Sequence, residues 1–129
     1  MSKNRLVSSD AALKEQLRNP EFRREWERTA VARVVAMRLL MYRQAHRLSQ
    51  SALAEKLGMK QPAIARLEAG DHTPRLETLM LLSRTLGIEF LVDIAPSGSP
   101  SRWLKNAVNQ ADVVQNVESP EGKILIAAQ

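Results

Sequence analysis

The chain has 129 residues, a formal net charge of +5 and no cysteine, which points to one domain with extensions and excludes disulfides and thiolate zinc sites. No apolar run approaches the ~20 residues of a membrane-spanning helix, and the opening MSKNRLVSSD holds no apolar stretch of the kind a secretory signal requires; the expectation is a cytoplasmic protein. Charge is uneven: residues 1–47 carry 11 Lys/Arg against 5 Asp/Glu, residues 48–87 carry 5 against 4, and residues 88–129 carry 3 against 5. A basic front half suits a polyanionic partner on one side of the molecule, although a solvated basic surface would look the same.

Residues 1–8 read as disordered. Ser9 or Asp10 can cap a short helix reaching Leu17, with Leu13 and Leu17 on one face. Asn19-Pro20-Glu21 is a second helix start, with an N-cap, a proline in the first turn and an acid beside the positive end of the helix dipole. A helical pattern then runs to about His46, with a break expected near Thr29, and Val31, Val35, Leu39, Tyr42 and Ala45 hold one stripe. Phe22 and Trp26 fall at i, i+4 on the segment before that break. Their spacing fits local packing of an added helix, or a partner-binding surface.

The most informative stretch is Leu48 to Gly87. Ser49 is a helix N-cap flanked by Leu48 and Leu53 at the staple positions, and Leu53 and Leu57 share a face. Gly58 ends that helix. A second helix opens at Gln61, with Pro62 in its first turn; Ile64 and Leu67 face inward and Gly70 closes it. The loop from Asp71 to Arg75 leads to a third helix that ends at Gly87. Two short helices joined so tightly must cross steeply, which explains small Ala54 at the crossing and Gly58 at the turn: this is helix-turn-helix logic.

After Gly87 the period changes to two. Ile88, Phe90, Val92 and Ile94 alternate with Glu89, Leu91 and Asp93, the pattern of a half-buried strand. A lone strand leaves open edges, and its cheapest partner is its own copy in a second subunit. Pro96 to Pro100 reads as a linker. Trp103, Leu104, Ala107, Val108 and Ala111 follow at helical spacing, then a turn at Ser119 to Gly122 and an apolar run from Lys123 to Ala128. This tail has three open roles: packing on its own domain, binding a partner, or remaining unbound. The expected organisation is an N-terminal extension (1–28), a helix-turn-helix domain (29–87), a dimerisation strand (88–95) and a linker with a tail of one short helix and a possible strand (96–129).

Arg43, Leu48-Ser49-Gln50, Leu53-Ala54, Gly58, Gln61, Ile64, Leu67-Glu68, Gly70, Pro74, Leu79 and Leu86-Gly87 together resemble the lambda-repressor-like (Cro/C1-type, or XRE) helix-turn-helix family over roughly residues 38 to 87. The resemblance implies a mainly α fold, a helix-turn-helix bundle carrying here an N-terminal helical extension and a C-terminal strand used in dimerisation. It also implies binding to double-stranded operator DNA as a homodimer, with no cofactor and no membrane partner. The strand after Gly87 departs from the commoner members, which have a fifth helix there, and is similar to antitoxin members in which a strand completes an intersubunit sheet. The segment NPEFRREWE before a long helix looks like HigA-type antitoxins, which repress their own operon and bind a RelE/HigB-like mRNA endonuclease toxin; Phe22 and Trp26 are then candidate toxin contacts. The alternative is a stand-alone XRE-type regulator with no toxin partner.

Helix-turn-helix domains of this type lay the second helix N-terminus first into the major groove. A Gln61 amide suits adenine N6/N7, an Arg66 fork suits guanine O6/N7 or a phosphate, and Pro62 and Ala63 can touch a thymine methyl. Gln50, Lys60 and the loop residues His72, Thr73 and Arg75 are the expected phosphate contacts. Lys60 stands where the family usually has a capping Ser or Thr. By resemblance, Arg43 and Glu68 form an ion pair that fixes the recognition helix, and Arg47 occupies a position usually held by glycine. No catalytic constellation is visible: His46 and His72 have no carboxylate or thiol at ligand or triad spacing, and there is no glycine-rich phosphate loop.

Overall fold

The computed structural model describes residues 11–98, 109–120 and 122–129. Residues 11–16 are helical (α1), followed by α2 (Pro20–Arg28), α3 (Ala30–His46), α4 (Gln50–Leu57), α5 (Gln61–Ala69), α6 (Leu76–Leu86), β1 (Phe90–Ala95), β2 (Val113–Ser119) and β3 (Gly122–Ala128). The proposed cap at Ser9 or Asp10 and the disordered reading of residues 1–8 lie outside the described residues. So do the end of the Pro96–Pro100 linker and most of the helix expected over Trp103–Ala111, of which residues 109–110 are helical.

The start and stop signals act where the sequence places them. The Asn19 side chain accepts from the Glu21 N–H at 2.9 Å, and Ser49 Oγ accepts from the Ala52 N–H at 3.0 Å, each satisfying a donor that a helix N-terminus leaves unpaired. Thr29 leaves helical geometry (φ −97°, ψ 13°), and its hydroxyl donates to the Glu25 carbonyl at 2.9 Å, so the long helical pattern divides into α2 and α3. Gly58 ends α4 at φ 67°, and the Met59 N–H turns back to the Ala54 carbonyl.

Helix α3 is the axis of the core. Its Val34, Val35, Leu39 and Tyr42 pack with Leu53, Ala54 and Leu57 of α4, Ile64 of α5 and Leu82 of α6. The buried Tyr42 ring keeps its hydroxyl satisfied by accepting from Lys56 Nζ at 2.8 Å. Gly70 closes α5 at φ 70°, and a Cβ there would lie 3.3 Å from the Ala36 Cβ. The position therefore needs glycine twice over, for its backbone conformation and for the close approach of α5 to α3.

The C-terminal part of the chain forms an antiparallel sheet of order β1-β3-β2, which corrects two expectations. The strand after Gly87 starts at Phe90 rather than Ile88, and among the described residues its partner is the chain's own β3, in the register Phe90↔Ala128, Val92↔Ile126 and Ile94↔Ile124. The apolar run Lys123–Ala128 supplies that partner by returning as the central strand. Residues 113–119 carried no strand signal, because Gln115, Asn116, Glu118 and Ser119 dilute the alternation; pairing along β3 makes them β2. The tail packs on its own domain: Val113, Ile126 and Ala128 belong to the same buried cluster as α3. The expected inward face of β1 is only partly covered. Ile88 and Phe90 join the core, whereas Val92 and Ile94 remain 45% and 74% exposed, because β1 is an edge strand.

Candidate nucleic-acid interface

The α4–α5 pair presents one polar end to solvent. Helix α5 begins at the exposed Lys60, whose backbone is extended (φ −84°, ψ 147°) and whose side chain makes no capping bond. Within the first turn Pro62 has no N–H and the Ala63 N–H donates to the Lys60 carbonyl at 2.9 Å, so the charge offered to an anion at this end is the Lys60 ammonium. Gln61, Pro62 and Arg66 are exposed and Ala63 is half-buried, while Ile64 on the opposite face is fully buried. Of the expected readers, Gln61, Pro62 and Arg66 thus project together from a helix anchored on its other side.

Four side chains hold this end in place. Arg43 on α3 forms a forked pair with Glu68 near the end of α5, Nη2 to Oε1 at 2.6 Å and Nε to Oε2 at 2.7 Å, and its Nη1 donates to the Leu48 carbonyl at 3.1 Å. The Glu68 side chain is 4% exposed. Burial alone would raise its carboxyl pKa; hydrogen bonds from Arg43 and Gln50 and the Arg43 charge outweigh it and hold the group below the usual carboxylate range. The Arg43 guanidinium is raised, chiefly by its hydrogen bond to Glu68. Gln50 Nε2 donates to Glu68 Oε1 at 3.2 Å, and Gln61 Nε2 donates to Gln50 Oε1 at 2.8 Å. The structure therefore ties Gln50, expected only as a phosphate contact, to the reader Gln61. Residue spacing carried no sign of this link, because the two glutamines are eleven positions apart and meet only through the helix crossing.

The loop after α5 leaves His72, Thr73 and Arg75 exposed. His72 Nδ1 lies 2.7 Å from Asp71 Oδ1, and that contact holds the Asp71 carboxyl below its ordinary range. Arg28, at the end of α2, donates to the Asp71 carbonyl at 3.2 Å while pairing with Glu25. Sequence reading had no signal for this contact either. Phe22 and Trp26 stack with centroids 6.2 Å apart, and the Arg33 guanidinium lies 3.4 Å over the Trp26 ring. Arg33 also donates to the Trp26 carbonyl, Thr29 Oγ1 and Gln115 Oε1, and burial pushes its pKa down to about 10. This cluster joins α2, α3 and β2, so the Trp26 face toward Arg33 is occupied by packing. Among the described residues no group of three His, Cys, Asp or Glu could hold a metal ion, and no helix is long and apolar enough to cross a membrane.

The fold and this end of it define a helix-turn-helix domain. Residues 39–92, under half of the chain, match the family model described as Helix-turn-helix (HTH_3). A Haemophilus influenzae protein named "Uncharacterized HTH-type transcriptional regulator" is 47% identical over 49 residues, 38% of this chain and 50% of that protein. The chain spans about half the length of the curated relative it matches. No solved structure matches it.

Proposed function

We propose that the protein is a sequence-specific DNA-binding transcriptional regulator that acts as a dimer, places α5 in the major groove and catalyses no reaction. The observation that carries this reading is the exposed set Gln61, Pro62 and Arg66 on a helix whose other end is clamped by Arg43, Glu68 and Gln50. A reader held rigidly pays less entropy when it binds, and Gln50 gives Gln61 one preferred orientation. Gln61 and Arg66 read bases; Lys60, Gln50 and the His72–Arg75 loop position the duplex through phosphates. A salt titration of an operator duplex and its scramble separates the two roles. Arg66→Ala is expected to lose about 1–3 kcal/mol per half-site on the operator and to relax base preference. Lys60→Ala is expected to weaken both duplexes alike and flatten log K against log salt by about one unit. Equal weakening of both duplexes by Arg66→Ala makes that residue a phosphate clamp, and a wild type that prefers no duplex over its scramble removes the reading.

The finer proposal is the antitoxin of a type II toxin–antitoxin pair, a HigA-like repressor of its own operon that neutralises a RelE/HigB-like endonuclease. It is supported by the Asn19-Pro20-Glu21-Phe22 helix before the domain and by the strand that follows it. Co-expression with the product of a small basic neighbouring frame tests it: a stable complex and rescued growth are expected, and their absence leaves a stand-alone regulator.

A further inference from the structure

One face of the sheet is left incompletely covered. In the register of the three strands, Ile94, Ile124 and Val117 form one row, toward the opposite end of the sheet from the Phe90–Ala128–Val113 row that joins the core. Ile94, opposite Ile124, is 74% exposed, although Ile126 and Ala128, opposite Val92 and Phe90 on the same face, are buried. Helix α2 stands over that row, and between them lies a half-open groove of about 1040 Å³.

The floor of the groove is apolar and its rim is cationic. Arg24 and Arg28 line it from α2, one helical turn apart. Glu27 is an acid on the wall, and Arg23 neutralises it at 3.1 Å. Arg24 is exposed and, among the described residues, its side chain makes neither a hydrogen bond nor an ion pair. A concave site of this volume, mostly apolar with a few converging polar groups, has the build of a small-molecule pocket, and a planar guanidinium is suited to a bidentate carboxylate.

We propose that this groove binds a small anionic amphiphile, with its apolar body on Ile94, Val117 and Ile124 and its head at Arg24 and Arg28, and that Arg28 transmits occupancy to the loop after α5. The transmission runs through Arg28, whose Nη2 donates to the Asp71 carbonyl at 3.2 Å while the guanidinium pairs with Glu25; a head group that draws the guanidinium into the groove competes with both. The site itself is independent of the DNA-binding reading; only the regulatory sense of the transmission rests on it.

The test uses the full chain and dansyl-undecanoate as the fluorescent probe. Saturable enhancement is expected, reversed by decanoate and not by decanol or acetate. Arg24→Ala is expected to weaken binding about tenfold, and Ile94→Glu to abolish it; both side chains are exposed, so both variants are expected to keep the wild-type melting temperature. Hydrogen exchange of the backbone amides of residues 71, 72, 73 and 75 reads the transmission without DNA: saturating decanoate should change it in wild type and leave Arg28→Ala unchanged. Absence of saturable probe binding, or equal affinity in wild type and both variants, overturns the site. Displacement by decanol as well as by decanoate overturns the anionic assignment. Unaltered exchange at those amides with the probe bound overturns the transmission. Loss of DNA binding in the salt titration would remove the regulator reading and leave the probe titration unaffected.

Discussion

Glu68 shows how one side chain can join folding to recognition. It is nearly buried, it accepts from Arg43 and Gln50, and through Gln50 it reaches Gln61. Glu68→Ala strands the Arg43 charge, and removing one member of a buried pair costs roughly 3–5 kcal/mol. Arg43 keeps 21% of its side chain in solvent and can partly rehydrate, so about 3 kcal/mol is expected, read as a fall in the urea midpoint. The pair also makes stability depend on pH. The Glu68 carboxyl is lowered in the fold from its ordinary 4.5, so its contribution is complete above that value and is lost as pH falls through the lower folded value. Wild type should therefore lose more stability than Glu68→Gln between neutral pH and the acid side of 4.5; parallel losses would contradict the pairing. Arg47 is a different case. It adopts φ 53° and ψ 45°, the only non-glycine residue with positive φ among those described. Side chains with a Cβ are disfavoured there by about 1–2 kcal/mol. Arg47→Gly is expected to relieve that strain at the expense of a more flexible unfolded chain, for a net gain of up to ~1 kcal/mol in thermal unfolding.

At the scale of elements, β1 holds the question of assembly. Glu89 and Gln129 exchange two backbone bonds of 2.9 Å, and in the same register Leu91, Asp93 and Ala95 are the residues that face β3 in hydrogen-bonded pairs. The N–H groups of Phe90, Val92 and Ile94 consequently point to the outer edge, which no described strand covers. An edge of this kind is a template for pairing, and pairing with its symmetry copy gives a C2 dimer. Val92→Pro removes an outward donor while sparing the inner ladder. Sedimentation is expected to show wild type as a dimer at micromolar concentration and the variant shifted toward monomer. A monomeric wild type, or a variant that stays dimeric, rules out edge pairing. The strand has a partner in β3 on one side, and the open edge on the other is what favours dimerisation.

For the molecule as a whole, the C-terminal hairpin is part of the core. Ile126 is fully buried and packs in the cluster with α3. Ile126→Ala leaves a cavity inside that cluster and is expected to cost about 2–5 kcal/mol, with the helices and the sheet losing structure in a single transition by far-ultraviolet circular dichroism. A change below about 0.5 kcal/mol, the range of surface substitutions, would mean that the hairpin is an appendage. The helix-turn-helix was legible in the chain before folding was considered. Its helices are specified by local signals that act within one or two turns: Asn19 and Ser49 as caps, Pro62 in a first turn, Gly58 and Gly70 as stops, and apolar residues at helical spacing. The Arg43–Glu68 pair, the left-handed Arg47 and the exposure of Gln61, Pro62 and Arg66 were legible through the family resemblance, since those positions follow from the same crossing. The other features had no local signal, because they depend on residues far apart in the chain. The sheet order β1-β3-β2 depends on residues 113–128 returning to pair with a strand more than twenty positions earlier. That long-range pairing made β2 from a segment with weak alternation and gave β1 a partner. The link from Gln61 to Gln50, the Arg28 bond to the Asp71 carbonyl and the placing of Arg33 between Trp26 and Gln115 arise in the same way, from helices and strands that meet only in the folded chain.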